Sequence, residues 1–368
     1  MANIAFIAGG ELENLAEHTW LSVPLTNSEA PVSGVAGAHG KVYELAIWGI
    51  LNTSFPVTAL VTVKCRWRFR VSSDNQPFLH LYDGATEQIR FVYRSTGAIQ
   101  VVRQSTVLAT SATGLFNVDT WYELEVRARI SNGSGSVAVN RNGAQIICLP
   151  SGQDTQTSST GQVDHWILGN EVLDSYFDDC VVDRSGTYLG TGEVETLMPN
   201  GEGEITQLTP SALVANYTLV NEKPHDSNTT YVESNGDQTD TYQFENRSLS
   251  GTPLGVMLSV AARHTVGAPT CKLVCRIDGV NYESTTTFST LSIFRGHFLY
   301  AWAVNPATGE AWTDAAINAA EWGVHCLATG VRVTQVGLQV YVKTAESDQC
   351  LASGASRDYC GSINEDVN

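Results

Sequence analysis

Positive charge is what this chain has least of: charged residues make up 16% of 368 positions, and 21 Lys and Arg face 38 Asp and Glu, a formal net charge of −17. So little basic surface argues against a general binder of nucleic acid or anionic membrane, because both need cations to meet phosphate. Long apolar runs are missing too. The best short stretch is residues 45–51, far below the roughly 20 residues that span a bilayer. Residues 1–10 hold no positive leader and only a brief apolar run before Glu11 and Glu13. No secretory signal is expected from them, and synthesis in the cytoplasm is. Helical periodicity is absent throughout the first half. What is present is an apolar content of 43%, that of a folded chain, over a length that exceeds one usual core. Two domains of about 150–200 residues are therefore expected. The eight cysteines are scattered, mostly within strand-like patterns, which suits reduced core thiols.

The clearest pattern lies in residues 119–143. Tyr122, Leu124, Val126, Ala128 and Ile130 alternate with Glu123, Glu125, Arg127 and Arg129, the signature of a strand with one dry and one wet face. Ser, Asn and Gly at 131–135 form a turn, Val137 and Val139 resume the alternation, and Asn142-Gly143 turns again. Residues 57–71 read as another long strand, with apolar residues at odd positions and Lys64, Arg66, Arg68 and Arg70 in an outer row. In an acidic protein that row has two readings. It could contact a sulfated or carboxylated glycan or an acidic neighbouring subunit, or it could pair across strands with Glu123 and Glu125, at about 0.2–1 kcal/mol per pair. Short strands punctuated by Gly, Asn and Asp continue to residue 102, as in a sandwich.

The order Thr120-Trp-Tyr, strand, glycine turn and strand ending Asn140-Arg-Asn-Gly143 resembles the laminin-G-like or concanavalin-A-like jelly roll. The resemblance extends to Ser175-Tyr-Phe-Asp-Asp-Cys-Val-Val-Asp183, like that family's closing strand, and covers residues 1–188. It implies that the 119–143 hairpin lies in the middle of one sheet and that Trp121, which alternation puts in the odd, polar-facing register, packs into the sandwich. Residues 189–203, rich in Gly, Thr and Glu without an apolar period, read as a linker. Residues 204–344 read as a second β-sandwich, with alternation at 256–262, 271–277 and 294–304. Thr313 and Asp314 are placed to cap one short helix that buries Ile317. A change of phase between Val333 and Val336 predicts a bulge. Residues 345–368 form a polar tail, expected to dock on a partner. The fold class expected is all-β: two β-sandwich domains in tandem with one short helix in the second. The wording Tyr188-Leu-Gly190, Val194-Glu-Thr-Leu-Met-Pro199, Asp240-Thr-Tyr-Gln-Phe244 and Trp302-Ala-Val-Asn-Pro-Ala-Thr-Gly-Glu-Ala-Trp312 resembles bacteriophage structural proteins. That resemblance implies a non-enzymatic virion component, assembled in the host cytoplasm. It would act as a capsid decoration, head fibre or tail part, bound to other virion proteins and forming a homo-oligomer. The alternative it leaves open is a carbohydrate-binding adhesin or receptor-binding tail protein that contacts a host surface glycan.

Chemistry is sparse. Paired carboxylates for a glycanase are sought at Glu123/Glu125 and Glu171/Asp174, and neither pair has a convincing setting. There is no nucleophile elbow, zinc-protease helix or phosphate loop. Cys271 and Cys275 share a strand face without a second ligand pair, so core thiols are expected over zinc. No catalytic residue and no cofactor is expected. The resemblance leaves calcium as a candidate at Asp178 and Asp179, since some laminin-G-like domains bind it at loop ends. Cys350 and Cys360 could pair in an oxidising medium.

Overall fold

In a computed structural model the chain forms four antiparallel sheets stacked as two sandwiches, with 57% strand and 3% helix; the class is all-β. The structure describes residues 2–9, 35, 36, 38, 39, 43–45, 50–70, 73–169, 175–223, 225–292 and 297–344. Trp20, Trp48, Glu171, Asp174, Cys350, Cys360 and the polar tail lie outside those residues. Among the described residues no helix is long and apolar enough to cross a membrane.

The first sheet runs in the order Ile4–Ala8, Ser175–Asp183, Leu60–Phe69, Tyr122–Arg129, Gly135–Arg141, Ala144–Gln153, with Tyr43–Leu45 also paired to Ser175–Asp183. The 119–143 hairpin is therefore in mid-sheet, and its second turn has the left-handed backbone that Asn142 (φ 49°) and Gly143 (φ 79°) tolerate. The second sheet runs Ile50–Thr58, Val163–Gly169, Gln76–Asp83, Thr86–Arg94, Ala98–Arg103, Thr106–Thr110. Between the sheets Trp67 stacks on Phe78 at 4.4 Å and Phe69 meets Tyr93 at 4.3 Å, with Trp166 fully buried. The expected single strand at 57–71 is two strands. The chain bends at Ala59 and passes from the second sheet to the first, a change of partner that alternation alone does not reveal.

The second sandwich is built on two long partners, Thr252–His264 and Val331–Lys343, facing a sheet centred on Gln238–Phe244, Glu321–Cys326 and Thr270–Ile277. Its core gathers Trp302, Trp312 and Trp322, whose rings lie 5.5–5.6 Å apart about Trp322. The helix is Asp314–Ala319, capped by the Thr313 hydroxyl, which accepts from the Ala316 amide at 3.1 Å, and it buries Ile317. The register slips between Ala261 and Ala262, opposite Gln335 and Val333, so Thr334 is the extra residue of the expected bulge.

Residues 189–203 are not a linker. Gly192–Leu197 pairs with Val331–Lys343, and Pro199–Thr206 pairs with Gln238–Phe244, so this glycine-rich stretch supplies two strands of the second sandwich. Its glycines are needed for close approach rather than flexibility: a Cβ on Gly192 would stand 2.2 Å from the Val342 carbonyl oxygen. Packing continues across the join, since Val194, Met257 and Tyr341 belong to the first sandwich's core cluster and the Ile7 amide donates to Met257 Sδ at 3.4 Å.

Candidate functional site

The outer face of the first sheet carries every basic residue singled out above, and the structure divides that row in two. Lys64 stands opposite Glu125, and Arg66 opposite Glu123. The second sandwich covers this end of the row, so Lys64 is 1% exposed and Glu125 4%. Lys64 Nζ is ion-paired with Glu123 and donates to the Tyr341 hydroxyl at 2.6 Å and the Gly192 carbonyl at 3.3 Å. The Tyr341 hydroxyl donates in turn to Gly190 O at 2.9 Å. Glu125 accepts from the Leu189 and Gly190 amides at 3.0 and 3.1 Å. Burial lowers the proton affinity of Lys64 and raises that of Glu125, while each charge opposes the shift of the other. Lys64 is thus withdrawn from any external contact, correcting its place in the expected binding row. The wet face expected for Glu123 and Glu125 is a buried join, and both carboxylates are engaged there.

The other end of the row is different. Arg66 lies over the Trp121 ring at 5.0 Å, and Arg68 and Arg70 lie over Tyr176 at 5.7 and 5.4 Å. Trp121 and Tyr176 are 6.4 Å apart. Trp121 does not enter the sandwich as the resemblance implied. It stays half-buried on the outer face because its Nε1 donates to Ala36 O at 2.9 Å, which also receives Arg68 Nη1 at 3.3 Å. Asp119 accepts from Arg68 Nη2 at 3.2 Å, and Arg70 is exposed. The result is a cluster of two rings and three guanidinium groups, with the Arg66 and Arg68 side chains 14% and 19% exposed and Arg70 exposed; each cation–π contact contributes about 0.5–2 kcal/mol across that range of exposure. Such residues dominate recognition surfaces, and guanidinium forks match carboxylate and sulfate oxygens. Alternation placed the arginines. Tyr176 was hidden from it because only the pairing of Arg68 with Tyr176 brings that strand alongside.

Asp178 and Asp179 lie beside this surface, where a slip in register and a positive φ at Asp179 (50°) turn consecutive side chains together. With His39 they are the one group among the described residues whose ligand atoms converge within 4.8 Å. The setting does not fit calcium, which takes six to eight oxygens. His39 Nδ1 faces Asp179 at 2.7 Å and Glu193 at 3.0 Å, its amide donates to Asp178 at 3.0 Å, and Arg66 Nη1 lies 3.4 Å from Asp178. Asp179 also accepts from the Val194 amide at 2.8 Å. Nitrogen donors already occupy the places a hard cation would take. The Asp179 hydrogen bond outweighs burial and raises the His39 pKa, while burial, aided by Asp179, raises Asp178 to about 7.

Both shifts have one sign for stability. The folded state holds each proton more tightly than the unfolded chain, so each contribution is complete below the ordinary pKa and fades as pH rises through the elevated one. For Asp178 the window runs from its ordinary 3.8 to about 7, and for His39 it lies above 6.5. NMR titration is expected to give a His39 midpoint above 6.5, returned towards that value by Asp179→Asn. Stability above pH 6.5 should fall less steeply in His39→Ala than in wild type, and equal slopes would refute the coupling.

The remaining cysteines and tryptophans are structural. Cys65, Cys180, Cys271, Cys275 and Cys326 are free and buried, and burial pushes the Cys271 thiol up to about 12, unsuited to zinc. Cys148, exposed on the Ala144–Gln153 strand, departs from the expected reduced state in being disulfide-bonded.

No protein-family model and no curated protein matches the chain. Among solved structures it is similar to the cellulose induced protein Cip1, at 14% identity over 42% of this chain and 84% of that one, with a TM-score of 0.33. It is also similar to the carbohydrate esterase vb_24B_21 from Shiga toxin-encoding bacteriophage phi24B (15%, 49% and 99%, 0.32). A third is galectin LEC-6 from Caenorhabditis elegans (17%, 36% and 89%, 0.27). All three TM-scores are below 0.5, so the fold assignment rests on the strands and registers above, and no activity follows from the likeness.

Proposed function

We propose that this protein is a non-enzymatic recognition module whose Arg66, Arg68, Arg70, Trp121 and Tyr176 surface binds an anionic partner, a sulfated or carboxylated glycan first of all. The observation that carries the reading is the convergence of three guanidinium groups on two aromatic rings at one place on an acidic protein. A non-catalytic role is supported by Glu123 and Glu125, which are engaged in the join between sandwiches. The resemblance to bacteriophage structural proteins supports a place on a virion, as a receptor-binding tail part or a capsid or head-fibre component, displayed in many copies beside other virion proteins. Repetition there would make weak single contacts effective.

Surface plasmon resonance on immobilised dextran sulfate and neutral dextran tests it. Binding to the sulfated polymer alone is expected, weakened by salt as exposed ion pairs are. Trp121→Ala and Arg68→Ala should each lower affinity by about tenfold, the loss of one anchoring contact. Equal binding of the two polymers, or no effect of either substitution, would overturn the proposal. Immunogold labelling of purified particles tests the virion assignment separately, and label confined to unassembled protein would count against it.

A further inference from the structure

The opposite face of the first sandwich holds a second cluster that the arginine surface does not involve. It lies on the outer side of the second sheet, where Val163–Gly169, Gln76–Asp83 and Thr86–Arg94 run side by side. Trp166, Leu81, Ile89 and Phe91 point into the core from these strands and are fully buried. Their alternates His165, Tyr82, His80 and Arg90 share the other side, and a register shift between Leu81 and Tyr82 brings Glu87 opposite Tyr82. His165 is paired with Tyr82, Tyr82 with Glu87, and His80 with Arg90. The His165 and Tyr82 rings stack at 5.0 Å with 14° between planes, and His80 lies 6.1 Å beyond Tyr82.

We propose that this face binds a neutral pyranose unit of a glycan, at a site formed by His80, Tyr82, Glu87, Arg90, Asp164 and His165. Each imidazole is held by a carboxylate through Nδ1, His80 by Glu87 and His165 by Asp164, both at 2.6 Å. The carboxylate fixes the orientation of each ring and turns its Nε2 outward from that contact. Arg90 Nη1 donates to Glu87 at 2.6 Å and Nη2 to Gln104 O at 2.7 Å. Burial works against charge on Glu87, yet the hydrogen bonds from His80 and Arg90 outweigh it and keep the carboxyl below its usual range. The face thus presents two imidazole Nε2 atoms, carboxylate acceptors at Glu87, the Tyr82 hydroxyl, which is hydrogen-bonded to Glu87, and guanidinium donors at Arg90. Alternating donors and acceptors of this kind match sugar hydroxyls, each of which also does both. Charge sets the class: three carboxylates, Asp83, Glu87 and Asp164, stand against the one guanidinium of Arg90, which disfavours a sulfated or carboxylated sugar here. The side chains of His80, Glu87, Arg90 and His165 are only 15–28% exposed, so they are already ordered and lose little freedom on binding.

The test is a microarray, followed by isothermal titration calorimetry of the full chain, with neutral cello-, malto-, manno- and chito-oligosaccharides. One of these classes is expected to bind. Glu87→Gln should lower its affinity by about tenfold or more, as should Tyr82→Phe, which removes a hydroxyl hydrogen-bonded to Glu87 and leaves the ring in place. Trp121→Ala should leave this binding unchanged and reduce only that of dextran sulfate, so the two sites fail independently. Binding of none of the four classes, indifference to Tyr82→Phe and Glu87→Gln together, or competition by dextran sulfate would each overturn the proposal.

Discussion

Lys64→Ala is expected to destabilise the protein by about 3–5 kcal/mol, because it leaves buried carboxylates without their cation. Glu123 and Glu125 would keep their amide donors from Gly192, Leu189 and Gly190 but lose the ammonium that is ion-paired with Glu123. Tyr341 would lose the donor at its hydroxyl while still donating to Gly190 O. Six positions along the same row, Arg70 is exposed, and Arg70→Ala is expected to stay within about 0.5 kcal/mol, as surface changes usually do. Urea unfolding measures both. Because Lys64 ties the Leu60–Phe69 strand to the Val331–Lys343 strand, calorimetry should also show the two sandwiches unfolding less cooperatively in Lys64→Ala. A loss below about 1 kcal/mol would mean that water reaches the join and screens it.

That contrast within one row marks how far the sequence could be read. Alternation placed Lys64, Arg66, Arg68 and Arg70 on one face correctly, since a strand's side chains alternate whatever lies beyond it. It could not say that a second sandwich lies over Lys64 while Arg70 is exposed, because that depends on contacts between residues 277 positions apart, Lys64 and Tyr341. The same limit explains residues 189–203. Their lack of an apolar period looked like a linker, but Gly192 is there to let strands meet, and such glycines carry no periodic signal. The jelly-roll resemblance located the 119–143 hairpin in mid-sheet and misplaced Trp121, whose outward position depends on one carbonyl, that of Ala36. On the second sheet, His80, Tyr82, Glu87 and His165 are spread over 86 positions and come together only through strand pairing. Local features fared better: the Thr313 cap and the Thr334 bulge are set by neighbours in sequence, and both were legible.

Asp240→Ala should cost about 3 kcal/mol or more, since each buried donor left unpaired costs about 1–3 kcal/mol. Asp240 is fully buried on the Gln238–Phe244 strand. Its Oδ1 accepts from the Gln207 and Leu208 amides at 2.6 and 2.7 Å, and its Oδ2 from Asn216 Nδ2 at 2.7 Å and the Tyr242 hydroxyl at 3.0 Å. Four donors thus converge on one carboxylate, which fastens residues 207–216 to the sheet. Burial raises its pKa all the same, because four hydrogen bonds only partly replace water around a charge. That shift means the charge itself is not the source of the stability; the accepting oxygens are. Asp240→Asn keeps one oxygen for the two backbone amides and turns an amide group towards Asn216, so it should cost less, about 1–2 kcal/mol. Hydrogen exchange separates the two variants further: the Gln207 and Leu208 amides should lose protection in Asp240→Ala and keep most of it in Asp240→Asn. Equal losses in both variants would show that the charge, not the hydrogen-bond count, holds this segment in place.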